Sequence, residues 1–503
     1  MARRKLPHIP DRTAHAPDQR GLTQLGSIEV RQWPDHRTVW RWHFYAGVLC
    51  IPFVLWLAGT GAIYLFKPKI DAWLDQPYDN LTIDGPRAAA SAQVSAALAS
   101  QPGAVLSAYE LPGSAHSAVQ VLVGRETHLT RVYVHPATLR VLHSVDEDDR
   151  FTNEIFRLHG ELMQGDRGSM LVETAASWTI VMLITGLYLW WPTGASGIAG
   201  VLYPRLSRRG RLLWRDLHAV TGFWVSFLAL FLLISGLPWA KSWGGMLEGV
   251  RQWSAAMPVK QDWTTGRSSE LAQRQLATSA PDDITPKPDE HAEHHHEVAP
   301  GTARWRRGDE PLDYRPLDGL VPVVEAANLT PPVLIAPPSA ANPSWTARSD
   351  TQNRPRRVEL TLDASRRAVN TRHEFSQQPL LDRIVAVGIA AHEGQLFAPL
   401  NQVLGLFTAI SLWLVCISAV VMWWRRRPAG VLGAPAPTAR RPLAIGLFVI
   451  IVVLGVLLPL LGATLLIVWL VESLVLRRWD RAREFLGLHA AVTGTEATAT
   501  ATE

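Results

Sequence analysis

Charge is what this chain has least of. Only 18% of its 503 residues are Asp, Glu, Lys or Arg, and five long tracts contain none. Phe44–Phe66, Thr174–Trp191, Ala219–Ala240 and Leu396–Trp424 are uncharged over 23, 18, 22 and 29 residues. A helix of about 20 apolar residues crosses a hydrocarbon core, so these four tracts read as membrane spans. A fifth, Pro442–Val471, is uncharged over 30 residues, long for one span and short for two. Pro459 and Gly462 near its middle mark a tight turn. It reads as a hairpin that crosses twice, giving six spans.

Cysteine is nearly absent. Cys50 and Cys416 are the two in the chain, and both fall inside apolar tracts. That excludes a disulfide framework and a thiolate metal site. A phosphate loop, a nucleophile elbow and a dinucleotide fingerprint are also missing. The chain therefore has no standard site for nicotinamide or flavin, and a redox role must draw electrons from a quinol or a partner reductase. The first 36 residues lack the apolar stretch of a cleavable signal, so the first span is expected to act as an uncleaved anchor.

Arginine is plentiful, and its placement is informative. Arg205, Arg208, Arg209, Arg211 and Arg215 lie between the second and third spans, and Arg425, Arg426 and Arg427 follow the fourth. Arg440 and Arg441 come soon after, and Arg477, Arg478, Arg481 and Arg483 close the last tract. The net charge of +5 thus marks topology and gives no nucleic-acid signal. By the positive-inside rule these connections are cytoplasmic. The long polar segments 68–170 and 241–395 then lie outside, which for a bacterial inner membrane is the periplasm.

The chain also repeats itself. His43 follows Trp40-Arg41-Trp42, and His218 follows Trp214-Arg215-Asp216-Leu217. Gly47 and Gly222 lie four residues after these histidines, and Thr60-Gly61 and Ser235-Gly236 follow at offsets of 17 and 18. His159 precedes Trp190-Trp191 by 31 residues, and His392 precedes Trp423-Trp424 by the same distance. Upstream of each lies an alternating, β-branched stretch, Thr130–Val141 and Arg357–Val369, which reads as strand. Matching spans run in the same direction, so the repeat is parallel and its axis lies along the membrane normal. His43 then faces His218, and His159 faces His392.

Intramembrane histidine is a functional-site hypothesis by default. A zinc site needs three or four protein ligands, and no cysteine or carboxylate recurs beside both histidines. A haem needs two axial ligands from facing helices. Each pair is therefore read as the axial ligands of one b-type haem, with Gly47 and Gly222 letting the macrocycle approach. Arg41 and Arg215 are candidate partners for its propionates. Continuous helix from His159 to Trp191 would run roughly 48 Å, beyond the ~30 Å core. It must break, and Gly165, Gly168, Gly394 and Pro399 are the candidate breakers. The run His291–His296 sits in a low-complexity stretch, 264–308, expected to be a disordered insertion.

The segments Trp40–Phe66, Leu158–Pro192, Arg215–Trp239 and Ala391–Phe397 resemble the PepSY-associated transmembrane proteins. Among these, the nearest functional resemblance is to FoxB-type siderophore reductases and iron-regulated PiuB-like proteins. The resemblance implies PepSY-like periplasmic domains, haem ligation by His43, His159, His218 and His392, and reduction of a ferric siderophore to release ferrous iron. A non-enzymatic reading, a sensor or peptidase-inhibitor module that binds a periplasmic partner, has no need of the paired histidines.

The expected fold is a membrane α-helical bundle, two parallel-repeat pairs of spans plus a C-terminal hydrophobic hairpin, with α+β outer domains. Its divisions run 1–38 (tail), 39–67 (first span), 68–170 (first outer domain, with His159), 171–192 (second span), 193–215 (loop) and 216–240 (third span). They continue with 241–395 (second outer domain), 396–424 (fourth span), 425–441 (loop), 442–476 (hairpin) and 477–503 (tail).

Overall fold

The computed structural model describes residues 36–192, 197–254, 263–279, 313–436 and 445–488. The His291–His296 run lies outside the described residues, as do most of the N-terminal tail and the end of the C-terminal one.

Helix α1 (His36–Tyr64) is followed by two short helices, α2 (Lys67–Leu74) and α3 (Gln76–Asp79), and by α4 (Ala90–Ser100). Four strands come next: β1 (Val105–Glu110), β2 (Val119–Arg125), β3 (His128–Val134) and β4 (Val141–Asp146). The first half closes with α5 (Phe151–Glu161) and α6 (Asp166–Trp190). The second half repeats the plan. Helices α7 (Arg211–Gly236), α8 (Lys241–Ser254), α9 (Gly266–Thr278) and α10 (Pro316–Ala326) lead to β5 (Val333–Ala336), β6 (Trp345–Ser349), β7 (Val358–Asp363) and β8 (Ala368–Glu374). Then come α11 (Leu380–His392) and α12 (Leu400–Arg426).

Helices α1, α6, α7 and α12 are long and apolar enough to cross a membrane. They close a ring in which α1 touches α6 and α12, and α7 touches α6 and α12. Their buried faces are built from small residues, among them Ala46, Ala58 and Thr60 on α1, Ala175 and Ser177 on α6, and Ser411 and Ser418 on α12. Small side chains let helices approach where no hydrophobic force between helices operates. The outward faces carry large apolar groups such as Trp56, Phe227 and Ile410, as lipid contact requires.

The corners expected between the histidines and the spans are present. Helix α5 ends in left-handed backbone at Leu162 and Met163, and Gly165, at φ +60°, precedes α6. Gly168 is no breaker. It lies in the first turn of α6, where a Cβ would sit 1.7 Å from the carbonyl oxygen of Glu161, so only glycine lets the corner close. Gly394 turns the chain at φ +74° between α11 and α12.

Beyond the bundle, the two outer segments form one body. A single antiparallel sheet runs β4-β3-β2-β1-β5-β6-β7-β8, and the repeat axis passes between β1 and β5. Two outer domains were expected from the sequence; the seam Tyr109–Ile335 and Glu110–Leu334 fuses them. The stretches read as extended in the sequence each hold a strand and the start of its neighbour. One face of the sheet is covered by α4 and α10, whose Ala90, Val94 and Ala97, and Leu317, Leu320 and Val324, recur at helical spacing in the main core. Ser91 donates to Asp318 at 2.7 Å and joins these two helices across the axis.

The first part of the stretch expected to be disordered is ordered; the rest of it, 280–308, lies outside the described residues. Residues 266–278 are helix α9, held by charge rather than apolar burial. Arg267 and Arg274 both bind Asp148 and Glu270, and the Thr278 hydroxyl donates to the Glu126 carbonyl at 2.7 Å.

The last apolar tract forms two shorter helices, α13 (Ile445–Leu457) and α14 (Pro459–Leu474). The chain reverses between them so sharply that a Cβ on Gly462 would lie 2.6 Å from the Gly455 carbonyl oxygen. At this reversal Trp243 of α8 donates to Leu457. The following helix α15 (Asp480–Leu486) docks at the opposite end of the bundle, where Arg41 binds the Gly487 carbonyl and Tyr45 that of Leu486. The hairpin thus lies along the bundle from the sheet side to the far side.

Candidate functional site

All four histidines singled out by the repeat meet in the pairs it implied. His43 on α1 and His218 on α7 have ring centres 6.3 Å apart with an interplanar angle of 80°. His159 on α5 and His392 on α11 show the same 6.3 Å and 80°. The two pairs lie at opposite ends of the bundle, since His43 and Thr60, which contacts His159, are separated by roughly 25 Å of helix rise along α1.

The hydrogen bonds fix the state of each ring. His43 Nδ1 lies 3.1 Å from the Met182 carbonyl and 3.1 Å from Thr185 Oγ1. His218 Nδ1 lies 3.0 Å from the Val415 carbonyl. A carbonyl only accepts, so both nitrogens carry a proton. In the other pair, His159 Nδ1 meets Thr60 Oγ1 at 2.9 Å and His392 Nδ1 meets Ser235 Oγ at 3.0 Å. Each of these rings also bonds a backbone carbonyl, Leu57 or Leu232, and since a carbonyl only accepts, these nitrogens carry a proton as well. All four rings are therefore Nδ1–H imidazoles that leave the Nε2 lone pair for a ligand. Among the described residues no hydrogen bond engages Nε2 of any of the four. Burial lowers the pKa of His159 to about 4 and that of His392 to about 3, with His159 adding to the drop at His392. Both are neutral at ordinary pH, as metal ligation requires.

Glycines bring neighbouring helices against these rings. A Cβ on Gly186 would meet His43 Cε1 at 3.1 Å, one on Gly61 would meet His159 Cε1 at 3.1 Å, and one on Gly236 would meet His392 Cε1 at 3.3 Å. Gly47 and Gly222 were expected from the sequence to leave room for the macrocycle. Gly47 faces the Met182 sulfur at 3.8 Å, and nothing lies within 4 Å of a Cβ on Gly222. The two arginines make contacts of their own. Arg41 binds the carbonyls of Pro435 and Gly487 at 2.8 and 2.9 Å, and Arg215 pairs with Asp216 at 3.1 Å. Asp216, which the sequence did not single out, is wholly buried and receives both Nε and Nη2 of Arg205, at 2.6 and 2.9 Å.

A cavity opens beside His159 and His392, with about 1720 Å³ of empty space that is partly continuous with solvent. Its floor is apolar, with Val54, Leu57, Leu232 and Leu412, and Arg267 and Glu270 of α9 also line it.

The residues fit a haem. Imidazole nitrogens about 2 Å from one metal ion on opposite sides set ring centres roughly 6 Å apart, as both pairs are. Among the described residues no group of three or more metal-binding side chains gathers.

A sheet-capped bundle of membrane-crossing helices, with paired histidines at both ends, defines a multi-pass membrane protein with an α+β extramembrane domain. The PepSY-associated TM region family matches residues 40–426, and the chain belongs to that family. No curated protein matches it.

Proposed function

We propose that this chain is a di-haem membrane oxidoreductase that reduces ferric iron held by a siderophore or similar chelate and releases ferrous iron. The observation that carries the reading is the duplicated histidine geometry, two Nδ1–H imidazole pairs at one spacing and one angle. His43 with His218, and His159 with His392, would each hold one b-type haem, which supplies one-electron transfer. The apolar walls keep water from the ligated faces, and the clamped Nδ1–H groups fix ring orientation before any cofactor binds. On this reading the sheet side is periplasmic, in a bacterial inner membrane, and the cavity beside His159 and His392 is where a ferric chelate approaches. Electrons enter on the His43 side from a quinol or a partner reductase.

The test is an absorption spectrum of the detergent-purified protein with a pyridine haemochrome count. Low-spin b-type bands and two haems per chain are expected, with ferrous iron trapped when the reduced protein meets a ferric siderophore. A colourless protein from haem-supplied cells would overturn the cofactor. A haem protein that no ferric chelate reoxidises would overturn the substrate.

A further inference from the structure

The four histidine clamps share one construction. On each spanning helix a carbonyl residue and a hydroxyl residue stand three apart, with a small residue next: Leu57, Thr60 and Gly61; Met182, Thr185 and Gly186; Leu232, Ser235 and Gly236; Val415, Ser418 and Ala419. Each hydroxyl is anchored to its own helix by bonds to carbonyls one turn back. Thr185 donates to Val181 at 2.9 Å, and Ser418 to Val415 at 2.9 Å. The oxygen of each is turned to a histidine from another segment. Three approach Nδ1 within 2.9–3.1 Å, while Ser418 Oγ stands 3.4 Å from His218.

The wiring is crosswise. Helix α1 supplies His43 to the far site and Thr60 to the sheet-side site. Helix α7 supplies His218 to the far site and Ser235 to the sheet-side site. Helices α6 and α12 return the favour, since their Thr185 and Ser418 serve the far histidines. The parallel repeat therefore contains a second, inverted one, with α1 related to α5–α6. Each unit opens on a histidine and ends on a clamp for its partner's histidine.

We infer that Thr60, Thr185, Ser235 and Ser418 are positioning residues that hold the iron-ligating imidazoles in the Nδ1–H form and set their donor strength, each acting on one site alone. An Nδ1–H held by an acceptor makes Nε2 more basic. That favours ferric iron, so removing the hydroxyl raises the potential of the haem concerned. The carbonyl three residues earlier remains as a partial acceptor, so the ring stays in place and the haem stays bound.

This inference rests on the haem reading above, and the experiment separates the two. Redox titration of the purified holoprotein resolves two components, and pyridine haemochrome gives the count. Thr60→Val and Ser235→Ala should raise the midpoint of one component, and Thr185→Val that of the other, with two haems retained. Ser418→Ala should give the smallest shift, and Thr60→Ser should restore the original value. Thr60→Val and Thr185→Val moving the same component, or neither moving any, would overturn the inference. A wild-type protein without haem overturns the parent reading instead. The clamp is then tested alone by ¹⁵N shifts of the histidine rings in the haem-free protein. Nδ1-protonated His159 in wild type, with its Nδ1 shift moved in Thr60→Val, supports it, and an Nε2-protonated or unshifted ring sinks it.

Discussion

His159 reaches across from α5 to Thr60 on α1, and its Nδ1 sits 2.9 Å from the Thr60 hydroxyl oxygen. With Nδ1 engaged there, Nε2 is the nitrogen of the ring left open. On the di-haem proposal the pairs, rather than single histidines, are the units of function.

Alanine at either member of a pair should therefore have the same outcome. His43→Ala and His218→Ala are each expected to remove one haem, and combining them should cost no further haem. The haemochrome count should fall from two per chain to one in all three proteins. Loss of both haems from a variant that stays folded would contradict the two-site arrangement.

Glycine substitutions should discriminate between near and distant positions. A Cβ at Gly186 or Gly61 stands 3.1 Å from an imidazole carbon, so Gly186→Val and Gly61→Val should displace a ligand ring at about 1–3 kcal/mol of overpacking and lose one haem. Gly245→Ala meets nothing within 4 Å and should keep both. The absorption spectrum of each purified variant checks this.

The attachment of α9 should be acid-sensitive. Burial works to raise the pKa of Asp148, but the hydrogen bonds from Arg267 and Arg274 outweigh it and the pKa is lowered. A carboxylate of depressed folded pKa stabilises fully above its unfolded value of about 3.9 and loses that contribution as pH falls through the folded one. Hydrogen exchange of residues 266–278 should therefore be slow at neutral pH and accelerate only below about pH 4. In Asp148→Asn the exchange should already be fast at pH 7.

Arg251 and Asp382 join α8 to α11 by a two-pronged pair at 2.7 and 2.8 Å, with side chains only 10% and 8% exposed. Removing one partner of so buried a pair costs about 3–5 kcal/mol. Asp382→Ala should lower the thermal midpoint and loosen the haem proposed at His392 before the one proposed at His43. Equal loosening of both would argue against a local effect.

Much of this was legible in the sequence, and the reasons for the rest are physical. Spans, histidines and repeat are all local or periodic, so uncharged tracts and equal offsets were enough. The seam between Tyr109 and Ile335 joins residues more than 200 positions apart, and no local pattern announces it. Thr60-Gly61 and Ser235-Gly236 were visible as repeats, yet their partners, His159 and His392, lie on other segments. Thr185-Gly186 and Ser418-Ala419 carry the same signal, but they sit at different offsets from a histidine because α5–α6 and α11–α12 turn a corner. Helix α9 escaped notice because its contacts are ionic, and a reading based on apolar periodicity passes over such a helix.

The seam bears on movement. Carriers that alternate access rock one repeat against the other. Here any such rocking would tear main-chain bonds between β1 and β5 and pull Ser91 from Asp318. The sheet works as a yoke across both halves, and the yoke suits a cargo that travels while the protein stands still.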